Sequence, residues 1–279
     1  MNAAAFESWL LCPDRPPLVM GILNVTPDSF SDGGKYLWAA DAVEHACEMI
    51  AQGADMLDLG AESTRPGADR VAAAAQLTRL LPVIEGIRSH SDILLSVDTT
   101  DSQVAAAAVS GGAGMINDVS AGRFDRQMLS VAADLKVPIV LMHMLGEPGT
   151  MQANPVYADV VAEVRQFLGE RKSAALSAGV AVHRILLDAG IGFGKTVQHN
   201  LALLKSLGCL RALECPIVLG TSRKRFIGAV TGVENPADRV IGSCATIAWG
   251  ATNGAEVLRV HDVAATVQTI RMIRAIAGA

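Results

Sequence analysis

The polar residues best able to do chemistry in this sequence stand at the ends of short apolar segments. The clearest segment runs from Val257 to Val263, where Arg259, His261 and Asp262 interrupt the apolar run. Arg259 and His261 are two positions apart, so their side chains point to the same side of an extended strand. A guanidinium and an imidazole on one face could bind a leaving pyrophosphate. The alternative is that Asp262 and nearby acids hold both side chains in a structural role.

Three other apolar segments end in a carboxylate or an amide, namely Asp98, Asn117 and Asp188. A carboxylate among apolar residues is costly unless a donor pairs with it. A ligand rich in N–H groups, such as an aminopyrimidinone ring, would supply those donors. The alternative is that a neighbouring backbone amide or lysine satisfies each carboxylate.

The loop after the first apolar segment, residues 24–34, is rich in proline, glycine, asparagine and aspartate. Asn24 and Asp32 offer the oxygen ligands that Mg²⁺ prefers when it also holds a phosphate. The loop therefore predicts a metal site, with an ordinary turn and a capping aspartate as the alternative.

Two further loops carry groups that suit anions. In residues 60–67, Ser63 and Thr64 could donate to phosphate oxygens and Arg65 could clamp an anion with its planar guanidinium. The alternative for that loop is a capped turn with solvated charges.

The loop of residues 220–226 opens toward a predicted helix, whose N-terminus would favour an anion near Ser222. Lys224 could donate to a ring nitrogen or carbonyl. A solvated basic turn is the alternative for this loop.

Residues 189–196 nearly match a phosphate-binding P-loop, but Ala189 replaces its first glycine. We interpret the glycines as letting the backbone pass close to a flat ligand, with Phe193 or Lys195 lining the wall. His143 stands alone on an apolar strand, so we interpret it as a core or supporting residue.

The apolar segments share a short length, a richness in valine, isoleucine and leucine, and a continuity typical of parallel strands buried on both faces. There are eight of them: 18–25, 56–60, 94–98, 115–119, 138–143, 185–188, 216–221 and 257–261. Helical periodicity fills 39–53, 76–87, 157–178 and 263–277. The alternation predicts a single (β/α)8 TIM barrel over 1–279, with 1–17 as an N-terminal extension and the ligand site at the carboxyl ends of the strands.

Composition narrows the function classes. The chain has 279 residues, is 51% hydrophobic and contains no apolar run long enough to span a membrane. Its N-terminus is a poor signal peptide, because Glu7 and Asp14 are acidic and no basic region precedes an apolar core. Five scattered cysteines indicate a reduced, cytoplasmic protein without a zinc site. A net charge of −5 argues against nucleic acid but not against an anionic small molecule.

The motifs that carry these residues resemble those of the dihydropteroate synthase family, from Val19 to about Ile273. The matching blocks follow in order, at barrel spacing: Met20–Gly34, Glu62–Gly67, Ser96–Thr99, Ile116–Asp118, Leu141–Met144, Gly192–Lys195, Ser222–Lys224 and Arg259–Asp262. Several blocks in order are far more specific than any one of them.

The resemblance implies a reaction of folate biosynthesis. 6-Hydroxymethyl-7,8-dihydropterin pyrophosphate condenses with 4-aminobenzoate, giving 7,8-dihydropteroate and pyrophosphate. The resemblance also implies an SN1-like course, Mg²⁺ as cofactor, closure of the first two loops over the site, a homodimer formed through the late helices, and a sulfonamide target.

The family's functional residues carry over to the matching positions of this sequence. The pterin would be bound by Asp98, Asn117, Met142, Asp188, Phe193 and Lys224. The pyrophosphate would be bound by Asn24, Thr64, Arg259 and His261. 4-Aminobenzoate would be bound by Phe30, Arg65, Pro66 and Ser222. Mg²⁺ would be bound by Asn24 and Asp32. The catalytic set would be Asp98, Lys224, Arg259 and His261.

The sequence departs from the family pattern at three places. Ala61 replaces a second glycine, Ala189 replaces a proline, and four alanines at 72–75 replace an acidic cluster. The first two stand beside binding residues, where they could shift loop geometry or affinity, whereas the third falls on a predicted helix and concerns stability.

Two rival functions use the same barrel. A methyltetrahydrofolate-binding barrel serving a cobalamin-dependent methyltransferase shares the acid and amide clamp, but it has no need of Ser222–Lys224 or of the pair Arg259 and His261. A non-catalytic pterin-binding paralogue would be favoured by loss of functional loop and strand-end residues. All four of the relevant residues are present: Asn24, Asp32, Arg65 and His261.

Overall fold

The computed structural model describes residues 1–25, 37–62, 70–147 and 149–279. Within these ranges the chain forms eight strands and ten α-helices. The strands are β1 Leu18–Asn24, β2 Met56–Gly60, β3 Leu94–Asp98, β4 Met115–Asp118, β5 Ile139–Met142, β6 Ile185–Asp188, β7 Ile217–Leu219 and β8 Ala255–Val260. The helices are α1 Ala3–Leu10, α2 Leu37–Ala51, α3 Ala73–Arg88, α4 Ser102–Ser110, α5 Met128–Leu135, α6 Val160–Ser177, α7 Val197–Lys205, α8 Arg225–Thr231, α9 Val240–Thr252 and α10 Val263–Ala277. Short 3-10 helices occupy Val182–Arg184, Leu207–Leu213 and Pro236–Arg239.

The predicted (β/α)8 barrel is confirmed. The strands are parallel and close in sequence order, with β8 paired to β1 through Leu18 and Val257. Each predicted strand matches an observed one to within two residues at either end, an offset that fraying and terminal turns commonly produce.

The barrel interior is built in tiers, because every second residue of a strand points inward. The bottom tier is apolar and takes one side chain from each strand: Met20, Met56, Leu94, Met115, Val140, Leu186, Val218 and Val257. Two residues further along each strand lies the middle tier: Ile22, Asp58, Ser96, Asn117, Met142, Asp188, Gly220 and Arg259. The upper tier follows after two more: Asn24, Gly60, Asp98, Val119, Met144, Gly190, Ser222 and His261.

The other strand face packs against the surrounding helices. Leu23, Leu57 and Val97 belong to one large buried cluster with helix residues such as Leu80 and Val104. Apolar side chains on both faces explain why the strand segments read as continuous apolar runs.

Helix α1 covers the amino-terminal end of the barrel. Phe6, Trp9 and Leu10 are buried against the bottom tier, and the rings of Phe6 and Trp9 stack at 5.3 Å. Trp9 Nε1 donates to the carbonyl oxygen of Pro16 at 2.9 Å, which fastens the chain between α1 and β1. The segment 1–17 therefore completes the core, and the carboxyl end of the barrel remains for a ligand.

Helix α3 begins at the run of alanines. Its first residue is Ala73, and the preceding Ala72 provides no side-chain cap. An uncapped N-terminus leaves backbone N–H groups of the first turn without a side-chain acceptor. This departure from the family pattern therefore lies on a helix terminus, as the sequence indicated.

No helix in the described part of the chain is both long and apolar enough to cross a membrane.

We expect Phe6→Ala to lower the free energy of unfolding by about 3 kcal/mol, because it removes a buried ring from the bottom of the barrel. Urea denaturation would measure this loss. Leu11→Ala is the matched control, since Leu11 is 63% exposed and follows the same helix. Equal effects from the two substitutions would contradict a covering role for α1.

Candidate active site

A buried ion-pair network crosses the middle of the barrel. Arg259 on β8 donates through Nε to Asp58 Oδ2 at 2.6 Å and through Nη2 to Asp98 Oδ2 at 2.8 Å. Asn117 Nδ2 donates to the same Asp58 oxygen at 2.9 Å. The network therefore joins β8 to β2, β3 and β4, and it pairs one cation with two carboxylates that would otherwise be costly to bury.

The pKa of Asp98 responds to its burial. Desolvation raises the pKa of this carboxyl to about 7, although the charge of Arg259 lowers it. Three nearby acids raise the same pKa further: Asp58, Asp118 and Glu62. Burial thus disfavours the charged form of Asp98, whereas its contact with Arg259 favours that form. Burial opposes the charge of Arg259, but its two carboxylate partners outweigh burial and raise its pKa.

Asp188 and Lys224 form the opposite side of the site. Asp188 Oδ1 accepts from the backbone N–H of Gly190 at 2.7 Å, and burial raises the pKa of Asp188 despite the charge of Lys224. Lys224 donates to the carbonyl oxygen of Ile191, and its Nζ lies 4.6 Å from the centroid of the Phe193 ring. Burial lowers the pKa of Lys224 to about 8. The lysine is thus a pre-oriented cation beside an acidic acceptor.

Gly220 keeps the middle of the site open between its charged groups. A Cβ at this position would lie 3.9 Å from Asp188 Oδ2 and 3.9 Å from the Cβ of Arg259. The missing side chain therefore leaves space between an acceptor and a cation, where a flat polar ring could lie.

Apolar side chains line one wall of the site. The cluster consists of Val119, Met142, Met144 and Met151, with Phe124 and Phe193 packed against it. Flexible methionines and an aromatic ring suit the face of a planar ligand.

Ser222 and His261 are linked at the rim. Ser222 Oγ accepts from the backbone N–H of His261 at 3.1 Å and contacts its Nδ1 at 3.0 Å. If the hydroxyl donates to Nδ1, the neutral ring carries its proton on Nε2, which suits an anionic oxygen. The carboxylate of Asp262 pairs with Arg223 at 2.5 Å. The acids that hold Arg259 are Asp58 and Asp98.

The glycine-rich loop after β6 fits closely against its own protein. Gly190, Gly192 and Gly194 all have positive φ, and a Cβ at Gly190 would lie 1.8 Å from the carbonyl oxygen of His143. A Cβ at Gly192 would lie 3.0 Å from Lys224 Cδ. These close contacts are with protein atoms, whereas the sequence had suggested a close approach to a flat ligand.

Lys195 does not line the pocket wall. It is 3% exposed and donates to His143 Nδ1 at 2.9 Å and to the carbonyl oxygen of Phe193 at 3.0 Å. His143 lies edge-on to Phe167 at 4.8 Å, and burial together with the charge of Lys195 lowers its pKa to about 3. Of the two residues suggested for the wall, only Phe193 reaches it, and His143 has the supporting role that the sequence indicated.

The structure brings most of the predicted site residues to one end of the barrel. Those that lie together are Asn24, Asp98, Asn117, Met142, Asp188, Phe193, Ser222, Lys224, Arg259 and His261. Asn24 and Asp98 lie on either side of Gly60. A Cβ at Gly60 would lie 3.9 Å from Asn24 Oδ1 and 3.6 Å from Asp98 Cβ. Five predicted residues lie outside the described ranges: Phe30, Asp32, Thr64, Arg65 and Pro66.

The alternative of local satisfaction holds only in part. A backbone amide satisfies one oxygen of Asp188, and an arginine pairs with Asp98. Asn117 uses its nitrogen on Asp58, which directs its carbonyl oxygen elsewhere as an acceptor for ligand N–H groups.

Sequence reasoning missed Asp58. It is fully buried in the segment Met56–Gly60, where a charged residue interrupts an apolar strand and shares the inward parity of Met56. Those two signals together could have identified it.

Asn24 is the predicted magnesium ligand that lies within the described ranges. Asn24 offers a hard oxygen at the rim, near Asp98, which fits a cation shared with a phosphate. Among the described residues, no group of three or more histidines, cysteines, aspartates or glutamates could hold a metal by itself. Asp32, the other predicted ligand, lies outside the described ranges.

Comparison with known proteins identifies the family. The pterin binding enzyme family matches residues 20–261. A dihydropteroate synthase from Synechocystis is 44% identical over 258 residues, covering 92% of this chain and 89% of that protein.

Solved structures agree. A Xanthomonas albilineans dihydropteroate synthase with 4-aminobenzoic acid superposes with a TM-score of 0.90 at 50% identity, covering 95% of this chain and 94% of the other. The same organism's enzyme in complex with 7,8-dihydropteroate gives 0.86 at 46%, covering 95% of each chain.

The raised pKa of Asp98 predicts a pH dependence of stability. The unfolded pKa is about 4 and the folded pKa is about 7, so the folded state binds more protons between these values. The contribution of Asp98 is therefore largest below the unfolded pKa and is lost as pH rises through the folded one.

We expect the free energy of unfolding of Asp98→Asn to fall less steeply with pH than that of the unsubstituted protein, by about 1 kcal/mol per pH unit near pH 5 to 6. Urea titrations of both proteins at matched pH values would measure the difference. The other buried acids are present in both proteins, so their contributions to the pH dependence cancel. Parallel curves would show that Asp98 does not titrate in this range.

Proposed function

The chain belongs to the dihydropteroate synthases within the pterin binding enzyme family, and we propose that it joins 6-hydroxymethyl-7,8-dihydropterin pyrophosphate to 4-aminobenzoate. The products would be 7,8-dihydropteroate and pyrophosphate. The observation that carries this proposal is the site at the carboxyl end of the barrel. There Arg259, Asp98 and Asn117 face Asp188 and Lys224 across an open middle.

The pterin ring would lie in that opening. Its N–H groups would donate to Asp98, Asp188 and the carbonyl oxygen of Asn117, and Lys224 would donate to the ring carbonyl or a ring nitrogen. Met142 and Phe193 would contact its face. The N–H groups of the ring would thus replace the hydrogen bonds to water that the buried carboxylates lose.

The pyrophosphate would lie at the rim beside Arg259, His261 and Asn24, with Thr64 in support. As the carbon–oxygen bond breaks, its electron pair goes to the pyrophosphate, and the two cationic or N–H donors stabilise the growing charge. Mg²⁺, held by Asn24 and Asp32 when bound, would supply further positive charge there.

The pterin methylene would become cationic as the pyrophosphate leaves. The negative charge of Asp98 would stabilise that cation, together with the electron-rich dihydropterin. The amine of 4-aminobenzoate then forms the carbon–nitrogen bond and releases a proton to solvent. An arylamine is a sufficient nucleophile, so this course requires no serine or cysteine nucleophile.

4-Aminobenzoate would bind where the first two loops meet the rim, in contact with Phe30, Arg65, Pro66 and Ser222. The Ser222 hydroxyl contacts His261 Nδ1, so the aminobenzoate pocket and the leaving-group site touch each other through these two side chains. A sulfonamide would compete for the same pocket, and loop closure would exclude water from it.

The late helices would form a homodimer. α9 packs against α10, and both expose large apolar side chains: Ile241, Trp249, Met272 and Ile276. Exposed apolar residues concentrated on adjacent helices favour an interface between subunits. The five free cysteines agree with a reducing compartment, and we infer the cytoplasm.

The first test is pyrophosphate release from the pterin substrate, measured with Mg²⁺ and with or without 4-aminobenzoate. We expect release that depends on 4-aminobenzoate, yields dihydropteroate and is lost when a chelator removes Mg²⁺. Binding of the pterin without turnover would instead identify a non-catalytic paralogue.

Arg259→Lys tests the leaving-group site in the same assay. Lysine retains the charge but lacks the planar guanidinium that can donate to two carboxylates and an anion at once. We therefore expect kcat to fall about 100-fold. Arg88→Lys is the control, because Arg88 is a partly buried arginine that donates to Gly112 O on the outer helices. Equal losses in both variants would contradict a specific role for Arg259.

The dimer can be tested by light scattering. We expect Ile241→Glu, at a side chain that is 82% exposed, to shift the mass from two subunits toward one. Val182→Glu, at a side chain that is 50% exposed and distant from α9 in sequence, should leave the mass unchanged. A monomeric unsubstituted protein would refute this part of the proposal.

A further inference from the structure

Asp58 holds two functional side chains at once without itself reaching the pocket surface. Its Oδ2 accepts from Arg259 Nε at 2.6 Å and from Asn117 Nδ2 at 2.9 Å, and the residue is fully buried. Arg259 belongs to the leaving-group site and Asn117 to the pterin site. One carboxylate oxygen therefore fixes the relative orientation of the two.

Asp58 and Asp98 together set the orientation of the Arg259 guanidinium. Its Nε and one Nη2 hydrogen are held by Asp58 and Asp98, and the side chain is 21% exposed. A guanidinium has five N–H groups in one plane, so fastening one edge directs the remaining donors outward. Without Asp58 the guanidinium could rotate about its bond to the chain and pair with Asp98 alone.

The carboxylate is costly where it stands. The second oxygen, Asp58 Oδ1, is buried without a hydrogen-bond partner among the described residues. Ser96 Oγ, on the residue paired with Asp58 across β2 and β3, is also without one there. A buried unsatisfied oxygen on a charged group destabilises the fold. An amide of the same shape would keep an acceptor for both donors, but it would remove the negative charge that balances the buried Arg259 guanidinium.

We propose that Asp58 is a positioning residue for the synthase reaction, which aligns the Arg259 guanidinium with the Asn117 amide before substrate binds. It acts through those two side chains and does not touch the substrate. The inference rests on the proposed function, because that function assigns Arg259 and Asn117 their roles.

The test compares Asp58→Asn with the unsubstituted protein in steady-state kinetics and urea denaturation. We expect kcat/KM for the pterin pyrophosphate to fall at least about tenfold, because the interaction with Arg259 loses its charge and orientation. The KM for 4-aminobenzoate should change less than about twofold, since the two side chains that Asp58 holds, Arg259 and Asn117, are assigned to the leaving-group and pterin sites. The urea midpoint should fall modestly, because the buried guanidinium loses one of its two carboxylate partners but keeps Asp98.

Asp118→Asn is the matched control. Asp118 is equally buried, but it faces away from the pocket and accepts only within its own turn, from Ser120 and Gly122. We expect this substitution to lower the urea midpoint and to leave the ratio of the two KM values unchanged. The two variants should therefore separate a loss of positioning from a loss of stability.

Two results would overturn the proposal. One is an Asp58→Asn protein with unchanged kinetic constants. The other is a protein whose urea midpoint falls and whose two KM values rise together, which would make Asp58 a structural residue only.

Calorimetry with inorganic pyrophosphate and with 6-hydroxymethylpterin separates failure of the positioning role from failure of the proposed function. If the unsubstituted protein binds both probes but has no turnover, the synthase reaction is refuted. Weaker binding of both probes to Asp58→Asn than to Asp118→Asn would still support positioning, and equal binding would overturn it.

Discussion

The alternation of side chains along the strands of a closed barrel is the constraint on which the site depends. A closed parallel barrel admits one inward side chain per strand in each tier, so a residue's parity decides whether it faces helices or ligand. The bottom tier is apolar and sealed by α1. The two tiers above it carry the polar groups. A shift of one residue in β2 or β3 would move Asp58 or Asp98 into the apolar layer beneath the helices, away from Arg259.

Charge balance is the next requirement, because this polar layer is enclosed by an apolar shell. Asp58, Asp98 and Asp188 face Arg259 and Lys224, and the raised pKa of Asp98 shows that the balance is incomplete at neutral pH. A pterin that donates N–H groups to the acids and a pyrophosphate that accepts from the cations would restore it. Binding of the pterin and pyrophosphate groups would therefore offset the desolvation of both halves of the site, which Arg259 connects.

The sequence predicted the barrel, the strand ends and the acids and cations that gather there, because apolar continuity and parity are local properties of each strand. It did not predict Asp58, since a lone aspartate inside an apolar strand acquires its role only from residues 59 and 201 positions away. It left open whether Phe193 or Lys195 lines the wall, because the Lys195 ammonium can turn either toward the pocket or toward His143, and only tertiary packing decides. The roles of Phe30, Asp32, Thr64, Arg65 and Pro66 remain predictions, because these residues lie outside the described ranges.

Parity also explains how the chain accommodates two departures from the family pattern. Ala61 and Ala189 each follow an inward residue by one position, so their methyl groups face the helices, where both are buried in the large outer cluster. The carbonyl oxygen of Ala61 accepts from Arg79 at 2.8 Å, and Ala189 precedes the tight turn that lets Gly190 donate to Asp188. Their methyl groups point away from the pocket while their backbones hold its rim. Any effect of these substitutions on substrate binding must therefore pass through the backbone, where the Gly190–Asp188 hydrogen bond fixes one acceptor oxygen at the end of β6.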